Sequence, residues 1–304
     1  MNTPESRCDA TVLLPTTGNR WPLVELALDC MRRQTVRDIE IFIIGDGVAD
    51  ESRRQYEAWE EEDPRVRFFD FPKHPRRGEP YRHELLTKFA RGGIVTYCCD
   101  RDLWFPHHIE TLLDGLQHAD FAHTLTMEVP VDGPIFAKNG DLGNPRYRRR
   151  VAHDLYPECG LRLSNVGHTL EAYRRLPEGW RETPRGKYTD YWMWRKFLRQ
   201  ADIRTITIPR ATLLYFKRDH HPGWPVEQRL EELRRWLPRT MNSDGYLECL
   251  EEFTSGLYAQ QLRIWYRRSW LVRIADSWPV FQFRRALRKR RERKLAAAAE
   301  AARR

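Results

Sequence analysis

The sequence predicts an α/β fold with a mostly parallel sheet, and three observations support this prediction. Short apolar runs alternate with segments of helical periodicity up to about residue 117, which is typical of parallel strands joined by helices. Hydrophobic residues make up 41% of the chain, which is enough for a sizeable buried core. The length of 304 residues suffices for one large domain or two modest ones.

The first half of the chain reads as four strands, each followed by a helix. The apolar runs that predict strands are 10–15, 38–47, 65–71 and 93–99. The segments with helical spacing are 21–33, 52–62, 81–91 and 106–117. In the first helix, one face is formed by Leu23, Leu26, Ala27, Cys30 and Met31. In sheets of this kind, ligands bind beyond the carboxyl ends of the strands.

The pattern changes after about residue 120. Residues 127–147 are rich in Gly and Pro, which predicts a hairpin and loops. The sequence then predicts helices at 169–175, 226–236 and 246–266, a loop running into a helix within 176–200, and a strand at 203–209. We therefore expect one α/β domain over residues 1–220 and a helical C-terminal extension over 221–304.

The net charge of +9 is concentrated at the C-terminus. Residues 284–304 hold ten Lys or Arg and two Glu, so this tail carries +8 and the rest of the chain carries +1. The basic character is thus a property of the tail, and specific nucleic-acid binding by the folded body is not expected. Beside the tryptophan-containing segment 269–283, the tail either contacts an anionic membrane surface or forms a solvated or oligomerising helix.

Two further features bear on location. No apolar window approaches the roughly 20 residues of a membrane span, and the polar N-terminus lacks the apolar core of a signal peptide. A cytoplasmic protein, with peripheral membrane contact if the tail binds lipid, is therefore expected. The six cysteines include no CxxC pair, which favours reduced structural thiols over a zinc site or a disulfide framework.

Polar side chains follow three of the predicted strands. Thr16 and Thr17 come after the first strand, Asp46 closes the second, and Asp100 and Asp102 follow the fourth. These groups are expected to face one crevice. Two carboxylates separated by one residue can hold Mg²⁺ or Mn²⁺, leaving positions on the metal for phosphate oxygens. The alternative is that they are ordinary acids at the start of a loop.

Two stretches resemble a known family: VLLPTTGNRWPLVELALDCMRRQTVRDIEIFIIGDGVAD and CDRDLWFPHHIETL. They are similar to family 2 glycosyltransferases, which are inverting enzymes of the GT-A fold. The positions that fit the family pattern in order are Gln34, Asp38, Glu40, Asp46, Gly47, Asp50, Asp100, Asp102 and Pro106. The resemblance is good over residues 10–116 and weaker to about residue 214. Gly45 and Val48 depart from the DDGS element of the family.

The resemblance implies a nucleotide-sugar donor, which we expect to be a UDP-sugar. Pro15 and Thr16 would touch the base or the ribose, and Asp46 would hydrogen-bond the base. Arg82 falls where the family places a basic residue near the nucleotide.

The resemblance also implies a divalent cation, Mn²⁺ or Mg²⁺, as cofactor. Asp100 would face the ribose or the metal, and Asp102 would bind the metal that bridges the diphosphate. Arg101, between them, departs from the small or acidic residue that is common there. His220 or His221 would be a third metal ligand or a diphosphate contact, unless they belong to a solvated loop.

Inverting transfer needs a base that takes the proton of the acceptor hydroxyl. The resemblance places this base at the start of a helix in the second half, where GKYTDYWMWRKFL offers Asp190. The alternative is that Asp190 only caps that helix, since Asp is favoured at helix N-termini.

The acceptor is predicted to be a saccharide or a lipid-linked saccharide. Ser164, Asn165 and His168 would line its pocket, and Trp192 would offer an aromatic face to the sugar. Alternatively, Thr169 caps the next helix, His168 is an incidental loop residue, and the aromatic residues belong to the core.

The chain is therefore predicted to be a metal-dependent glycosyltransferase, with surface polysaccharide or glycolipid synthesis as its setting by family analogy. One alternative is a sugar nucleotidyltransferase, but that class needs a glycine-rich phosphate loop after the first strand, and LLPTTGNRW has one glycine. The other alternative is a nucleotide-sugar-binding scaffold protein that lost turnover, which Gly45 and Arg101 leave open.

Overall fold

In the computed structural model, the described residues are 7–137, 140–153, 160–216 and 223–267, with isolated positions between 277 and 290. The chain divides into two compact units, Met1–Thr254 and Ser255–Arg304. The sheet belongs to the first unit. In the second unit, the described residues are helical apart from Ser277, and most of the basic tail lies outside the described residues.

The elements follow the predicted alternation of strands and helices. The strands are β1 Cys8–Gly18, β2 Ile39–Val48, β3 Val66–Phe71, β4 Gly92–Tyr97, β5 Leu103–Trp104, β6 Phe121–Glu128, β7 Val166–Thr169 and β8 Thr205–Tyr215. The helices are α1 Trp21–Arg32, α2 Asp50–Glu62, α3 Glu79–Lys88, α4 His108–Leu116, α5 Pro145–Ala152, α6 Leu170–Arg174, α7 Thr189–Leu198, α8 Val226–Trp236 and α9 Ser243–Arg267. None of the described helices has the length and apolar character needed to span a bilayer.

The strands form one sheet with the order β3-β2-β1-β4-β7-β6-β8-β5. Strands β1 to β4 are mutually parallel where they pair, and β6 is parallel to β8. Strand β7 runs antiparallel between β4 and β6, and β5 is antiparallel to β8 at the sheet edge. The predicted α/β fold with a mostly parallel sheet is confirmed.

The connection from β4 to β5 determines where the acidic motif lies. The chain leaves β4 in the middle of the sheet and continues as β5 at its far edge. Residues 98–102 therefore pass over the ends of the intervening strands β7, β6 and β8. Because β6 and β8 run in the same direction as β4, their carboxyl ends meet this segment, together with the start of β7.

The core is built on both faces of β1. Val12, Leu13 and Leu14 have no exposed surface, as expected for a central strand of a parallel sheet. The predicted face of α1 is buried in full, since all five of its apolar residues are at most 6% exposed. The spacing of these residues thus identified the packing surface correctly.

An aromatic cluster positions the start of α7. Trp194 lies 5.4 Å between ring centroids from Tyr97 at the end of β4, and 5.7 Å from Phe121 on β6. Phe197, one turn further along α7, lies 5.2 Å from Phe121. Since these rings are fully buried, α7 is held against the sheet and its first turn has a defined place.

The sequence analysis missed β6 and β7. Strand β6 has no continuous apolar run, and several of its polar residues have no exposed surface. These groups find partners inside the protein: His123 Nε2 lies 2.8 Å from Thr207 Oγ1, and Thr212 Oγ1 donates to Thr124 Oγ1 at 2.7 Å. Hydrophobic periodicity does not detect a buried strand whose hydroxyl and imidazole groups pair inside the protein.

Gly92 gives a test of the packing between β1 and β4. A Cβ at this position would lie 2.2 Å from the backbone nitrogen of Thr11 and 2.5 Å from the carbonyl carbon of Ala10. This backbone cannot move without opening the β1–β4 pairing, so Gly92→Ala should lower the free energy of unfolding by about 2 kcal/mol or more. Urea denaturation measures this.

The matched control is the neighbouring Gly93→Ala. Its nearest contact would be the flexible guanidinium of Arg7 at 3.2 Å, so a stability close to that of the unmodified chain is expected. Equal stability of the two variants would contradict the described packing of β1 against β4.

Candidate active site

A cavity of about 500 Å³ opens at the carboxyl ends of β1, β2 and β4. It lies where ligands bind in sheets of this kind. The lining residues that carry polar side chains are Thr16, Thr17, Arg20, Asp46, Lys73, Arg76, Arg77, Arg82, Cys99, Asp100, Arg101, Arg162, Tyr188, Thr189, Asp190, Tyr191 and Tyr215. All five residues predicted to bind the donor (Pro15, Thr16, Asp46, Arg82 and Asp100) line it.

The cavity wall is strongly basic. Seven of the lining residues are Arg or Lys and three are Asp, so the lining carries a net charge of +4. Cations on a partly enclosed wall attract anions, and guanidinium groups match phosphate oxygens in geometry and charge. The cavity is therefore suited to a ligand with two or more negative charges.

Asp102 does not line this cavity, and its side chain has no exposed surface. Its Oδ2 accepts a hydrogen bond from Ser164 Oγ at 2.5 Å, and its Oδ1 accepts one from the backbone N–H of Phe216 at 3.3 Å. Burial raises the pKa of Asp102 to about 6. The carboxylate thus ties the turn after β4 to the residue that follows β8 and to the loop before β7.

Asp100 does line the cavity, but it is paired with arginines. Arg20 Nη1 donates to Asp100 Oδ2 at 2.9 Å, and Arg101 Nη1 lies 3.9 Å from Oδ1. Both carboxylate oxygens therefore face guanidinium groups. The side chains of Arg20 and Arg101 are 26% and 21% exposed, so both reach the open space of the cavity.

These two carboxylates do not fit a shared divalent cation. Mn²⁺ and Mg²⁺ need accessible oxygen ligands, whereas Asp102 is enclosed and Asp100 is neutralised by two arginines. Within the described ranges, no group of three or more His, Cys, Asp or Glu side chains is arranged to hold a metal ion. His220 and His221 lie outside the described residues. In this arrangement Asp100 and Asp102 do not present their oxygens to a common open space, as the predicted metal bridge would require.

Asp46 lies near the end of β2 and lines the cavity. It is 6% exposed and accepts hydrogen bonds from Lys73 Nζ at 2.5 Å and from the backbone N–H of His74 at 2.6 Å. Thr17 Oγ1 donates to its backbone carbonyl at 2.7 Å, which joins the ends of β1 and β2. Asp46 thus fixes the segment after β3 over the cavity and brings a lysine with it.

Arg82, on α3, is a buried cation with unused donors. It is 6% exposed, and its Nε and Nη1 have no hydrogen-bond partner in the described part of the chain. Its guanidinium carbon lies 5.0 Å from the centroid of the Trp180 ring. Because unsatisfied buried donors are costly, this arrangement favours an anionic ligand that supplies acceptors.

Asp190 is the second residue of α7 and lines the cavity. The N-cap position is occupied by Tyr188, so Asp190 is in the first turn and is not the capping residue. Burial raises the pKa of Asp190 above its ordinary value, and the positive charges of Arg82 and Arg101 act in the opposite direction. The site thus contains a partly buried carboxylate with arginine charges nearby.

The loop before α7 is tied to α3 by Glu79. This carboxylate has no exposed surface and accepts hydrogen bonds from the backbone N–H groups of Arg77 and Thr183 at 3.0 and 3.2 Å. Arg76 Nη2 donates to the carbonyl of Thr183 at 3.0 Å. These contacts place Arg76 and Arg77 on the cavity wall.

The residues predicted for the acceptor are placed differently. Ser164, Asn165 and His168 have no exposed surface and do not line the cavity. Asn165 Nδ2 donates to the carbonyl of Thr124 at 2.7 Å, and His168 Nε2 lies 2.8 Å from the hydroxyl of Tyr97. Together with the bond from Ser164 to Asp102, these contacts place all three residues in the structural framework.

The alternative interpretation of residues 168 and 169, in which Thr169 is a helix cap and His168 a loop residue, is correct only for Thr169. Thr169 caps α6 by accepting from the N–H of Ala172, as the alternative held, but His168 belongs to β7 and not to a loop. Trp192 does not line the cavity; the guanidinium carbon of Arg195 lies 5.1 Å from its ring centroid. The aromatic residues at the cavity are Tyr188, which is 63% exposed, Tyr191 and Tyr215.

Several site residues were missed from the sequence, above all Arg20, Arg77 and Arg162. Arg162 Nη2 donates to Glu128 Oε1 at 2.6 Å and Nη1 to the Tyr191 hydroxyl at 2.7 Å, so it is anchored at the end of β6. The chain has many arginines, and nothing in their spacing separates those on the cavity from those in solvent. Only the proximity of Arg20 to the end of β1 offered a signal.

Comparison with known proteins identifies the family. Residues 11–161 match the family described as Glycosyl transferase family 2. The uncharacterized glycosyltransferase YwdF of Bacillus subtilis (strain 168) is 28% identical over 200 residues, which are 66% of this chain and 71% of that protein. This chain is a family 2 glycosyltransferase. The family and the enzyme class predicted from the sequence are confirmed.

Solved structures of similar fold include S. aureus TarS. Its fragment 1–349 in complex with UDP-GlcNAc aligns with a TM-score of 0.53 and 14% identity, covering 75% of this chain and 65% of that one. The same fragment in complex with UDP aligns with a TM-score of 0.52 and 12% identity, again over 65% of its length. This glycosyltransferase thus spans about two thirds of those structures, and the likeness shows a shared GT-A fold.

Glu79→Gln tests the link between α3 and the loop before α7. The amide keeps one acceptor and turns an NH₂ group toward a backbone N–H, so one hydrogen bond is lost and a buried donor is left unpaired. The free energy of unfolding should fall by about 1–3 kcal/mol. Urea denaturation measures the loss. Glu84→Gln, on the same helix with an exposed partner in Lys88, should change it by less than about 1 kcal/mol.

Proposed function

We propose that this glycosyltransferase moves a sugar from a nucleoside diphosphate sugar to a hydroxyl group of a saccharide or lipid-linked acceptor, with inversion. The observation that carries the proposal is the basic cavity at the strand ends with a partly buried carboxylate, Asp190, on its wall. A UDP-sugar is the proposed donor, since TarS of the same fold was crystallised with UDP and UDP-GlcNAc. All cavity residues lie between Pro15 and Tyr215, which supports residues 1–220 as the catalytic domain.

The donor is proposed to lie across the strand ends. Pro15 and Thr16 contact the base or the ribose, and Asp46 accepts a hydrogen bond from the base. Asp46 already holds Lys73 at this end of the cavity, so the lysine is in place for the nucleotide. Arg82 donates its unpaired N–H groups to a phosphate.

The reaction is a single displacement. The oxygen of the acceptor hydroxyl forms a bond with the anomeric carbon, while the bond from that carbon to the phosphate oxygen breaks. The electron pair leaves with the phosphate, and the hydroxyl proton passes to the Asp190 carboxylate. Attack on the face opposite the leaving group inverts the anomeric configuration.

The surroundings of Asp190 suit it to act as the base. Burial makes Asp190 a stronger base than an exposed aspartate, because its pKa lies above the ordinary value. The nearby positive charges of Arg82 and Arg101 favour its ionised form. Exposed Tyr188 stands beside Asp190 at the start of α7 and offers an aromatic face to the acceptor sugar.

The setting is proposed to be bacterial surface polysaccharide or glycolipid synthesis on the cytoplasmic side of the membrane. The support is the family and the basic C-terminal tail, which would attract anionic lipid near a lipid-linked acceptor.

The proposal predicts that Asp190→Asn strongly slows transfer. Purified chain incubated with a panel of nucleotide sugars and saccharide acceptors should release a nucleoside diphosphate from at least one donor. Removing the base should reduce kcat by roughly 10²- to 10⁴-fold with little change in nucleotide affinity. Asp114→Asn, an exposed aspartate on α4, serves as the matched control and should retain full activity. Full activity of Asp190→Asn would contradict the assigned role.

The pH dependence of kcat gives a second test. The base acts only when ionised, so the rate should fall as the pH decreases through the pKa of Asp190. Since burial raises that pKa, the acid limb should lie above the value of about 4 for an ordinary aspartate. Stopped assays across the acid range measure it. An acid limb at or below about 4 would contradict a desolvated base.

A further inference from the structure

We infer that the donor diphosphate is neutralised by an arginine pair, Arg20 and Arg101, and not by a divalent cation held between Asp100 and Asp102. This inference rests on the proposed donor class and specifies how the chain binds its charged part. Three observations carry it: the orientation of the turn after β4, the pairing of Asp100, and the charge of the cavity.

In the turn after β4, the side chain that lines the cavity is that of Arg101, whereas Asp102 does not line it. Asp102 points into the protein, where Ser164 and Phe216 occupy its two oxygens. Arg101, one residue earlier, lines the cavity and has a buried Nε without a hydrogen-bond partner among the described residues. Where a metal ligand was expected, the cavity therefore has a guanidinium group with unpaired N–H donors.

Asp100 acts as the shared partner of the arginine pair. Its oxygens lie 2.9 Å from Arg20 Nη1 and 3.9 Å from Arg101 Nη1, so one carboxylate aligns two guanidinium groups from different elements. Arg20 precedes α1, and its backbone N–H donates to Ser52 Oγ at 3.2 Å. Each guanidinium has five N–H donors, which leaves several for phosphate oxygens after Asp100 is satisfied.

The charge of the cavity favours an anion without an accompanying metal. The lining carries +4, and a sugar nucleotide brings about two negative charges on its diphosphate. A divalent cation near Asp100 would face two arginines at short range, with Arg229 also near. Burial, together with the charges of Arg101 and Arg20, lowers the pKa of Arg229, which shows how positive this region is.

The arginine pair also meets the needs of the reaction. When the bond between the anomeric carbon and the phosphate oxygen breaks, the leaving diphosphate gains one negative charge. Charge-assisted N–H···O bonds strengthen as this charge develops, so Arg20 and Arg101 stabilise the transition state more than the ground state.

Calorimetric titration of the full chain with UDP, GDP and CDP tests the inference without requiring turnover. Each nucleotide is titrated in excess EDTA and again in excess Mn²⁺. We expect the tightest nucleotide to bind in EDTA, with a dissociation constant within about threefold of that in Mn²⁺. Binding that appears only with Mn²⁺ would overturn the arginine pair while leaving the proposed function intact. Absence of binding in both buffers would overturn both.

Variants then assign the contribution to the two side chains. In EDTA, Arg101→Met and Arg20→Met should each weaken binding about tenfold or more, and Arg101→Lys should recover part of the loss. Arg54→Met, an exposed arginine on α2, is the matched control and should bind like the unmodified chain. Circular dichroism of each variant checks folding. Unchanged affinity in folded Arg101→Met and Arg20→Met would contradict the inference.

Discussion

The buried carboxylate of Asp102 is the constraint on which the site depends. It lies where three parts of the sheet meet: the turn after β4, the loop before β7 and the residue after β8. The chain has to pass over these strand ends because β5 pairs at the far edge of the sheet. Without an internal acceptor, the hydroxyl of Ser164 and the N–H of Phe216 would be buried donors without partners. Asp102 satisfies both and thereby sets the direction of the turn.

The direction of that turn decides the chemistry of the cavity. With Asp102 inside, Arg101 is on the open side, and Asp100 lies between Arg101 and Arg20. The same three letters, DRD, can therefore hold a cation or present one, depending on which side chain the fold encloses. Burial of Asp102 raises its pKa to about 6, because a carboxylate charge is less stable away from water.

The sequence predicted the parts of the fold that depend on apolar periodicity. The first four strands and the buried face of α1 follow this rule, and so do the positions of the donor-side residues at the strand ends. Strands β6 and β7 escaped because polar residues stand among their buried positions and are satisfied by partners distant in sequence, as with His123 and Thr207. The acceptor residues escaped for a related reason: Ser164 and Asn165 look available in a loop, and only their partners show that they are structural.

Arginine is the residue type whose role sequence patterns predict least well, and this site depends on it most. Arg162 is fixed by Glu128 and Tyr191, Arg82 rests on Trp180, and the arginine pair shares Asp100. Arg162, Arg82 and Arg20 are held by partners distant in sequence, and Arg101 lies beside its neighbour Asp100. Side chains that are already held lose little entropy on binding. A wall of preorganised guanidinium groups can stabilise a leaving diphosphate by position alone. In the arrangement that we infer for this family 2 glycosyltransferase, the acidic motif holds the guanidinium groups of Arg20 and Arg101 in place for the diphosphate.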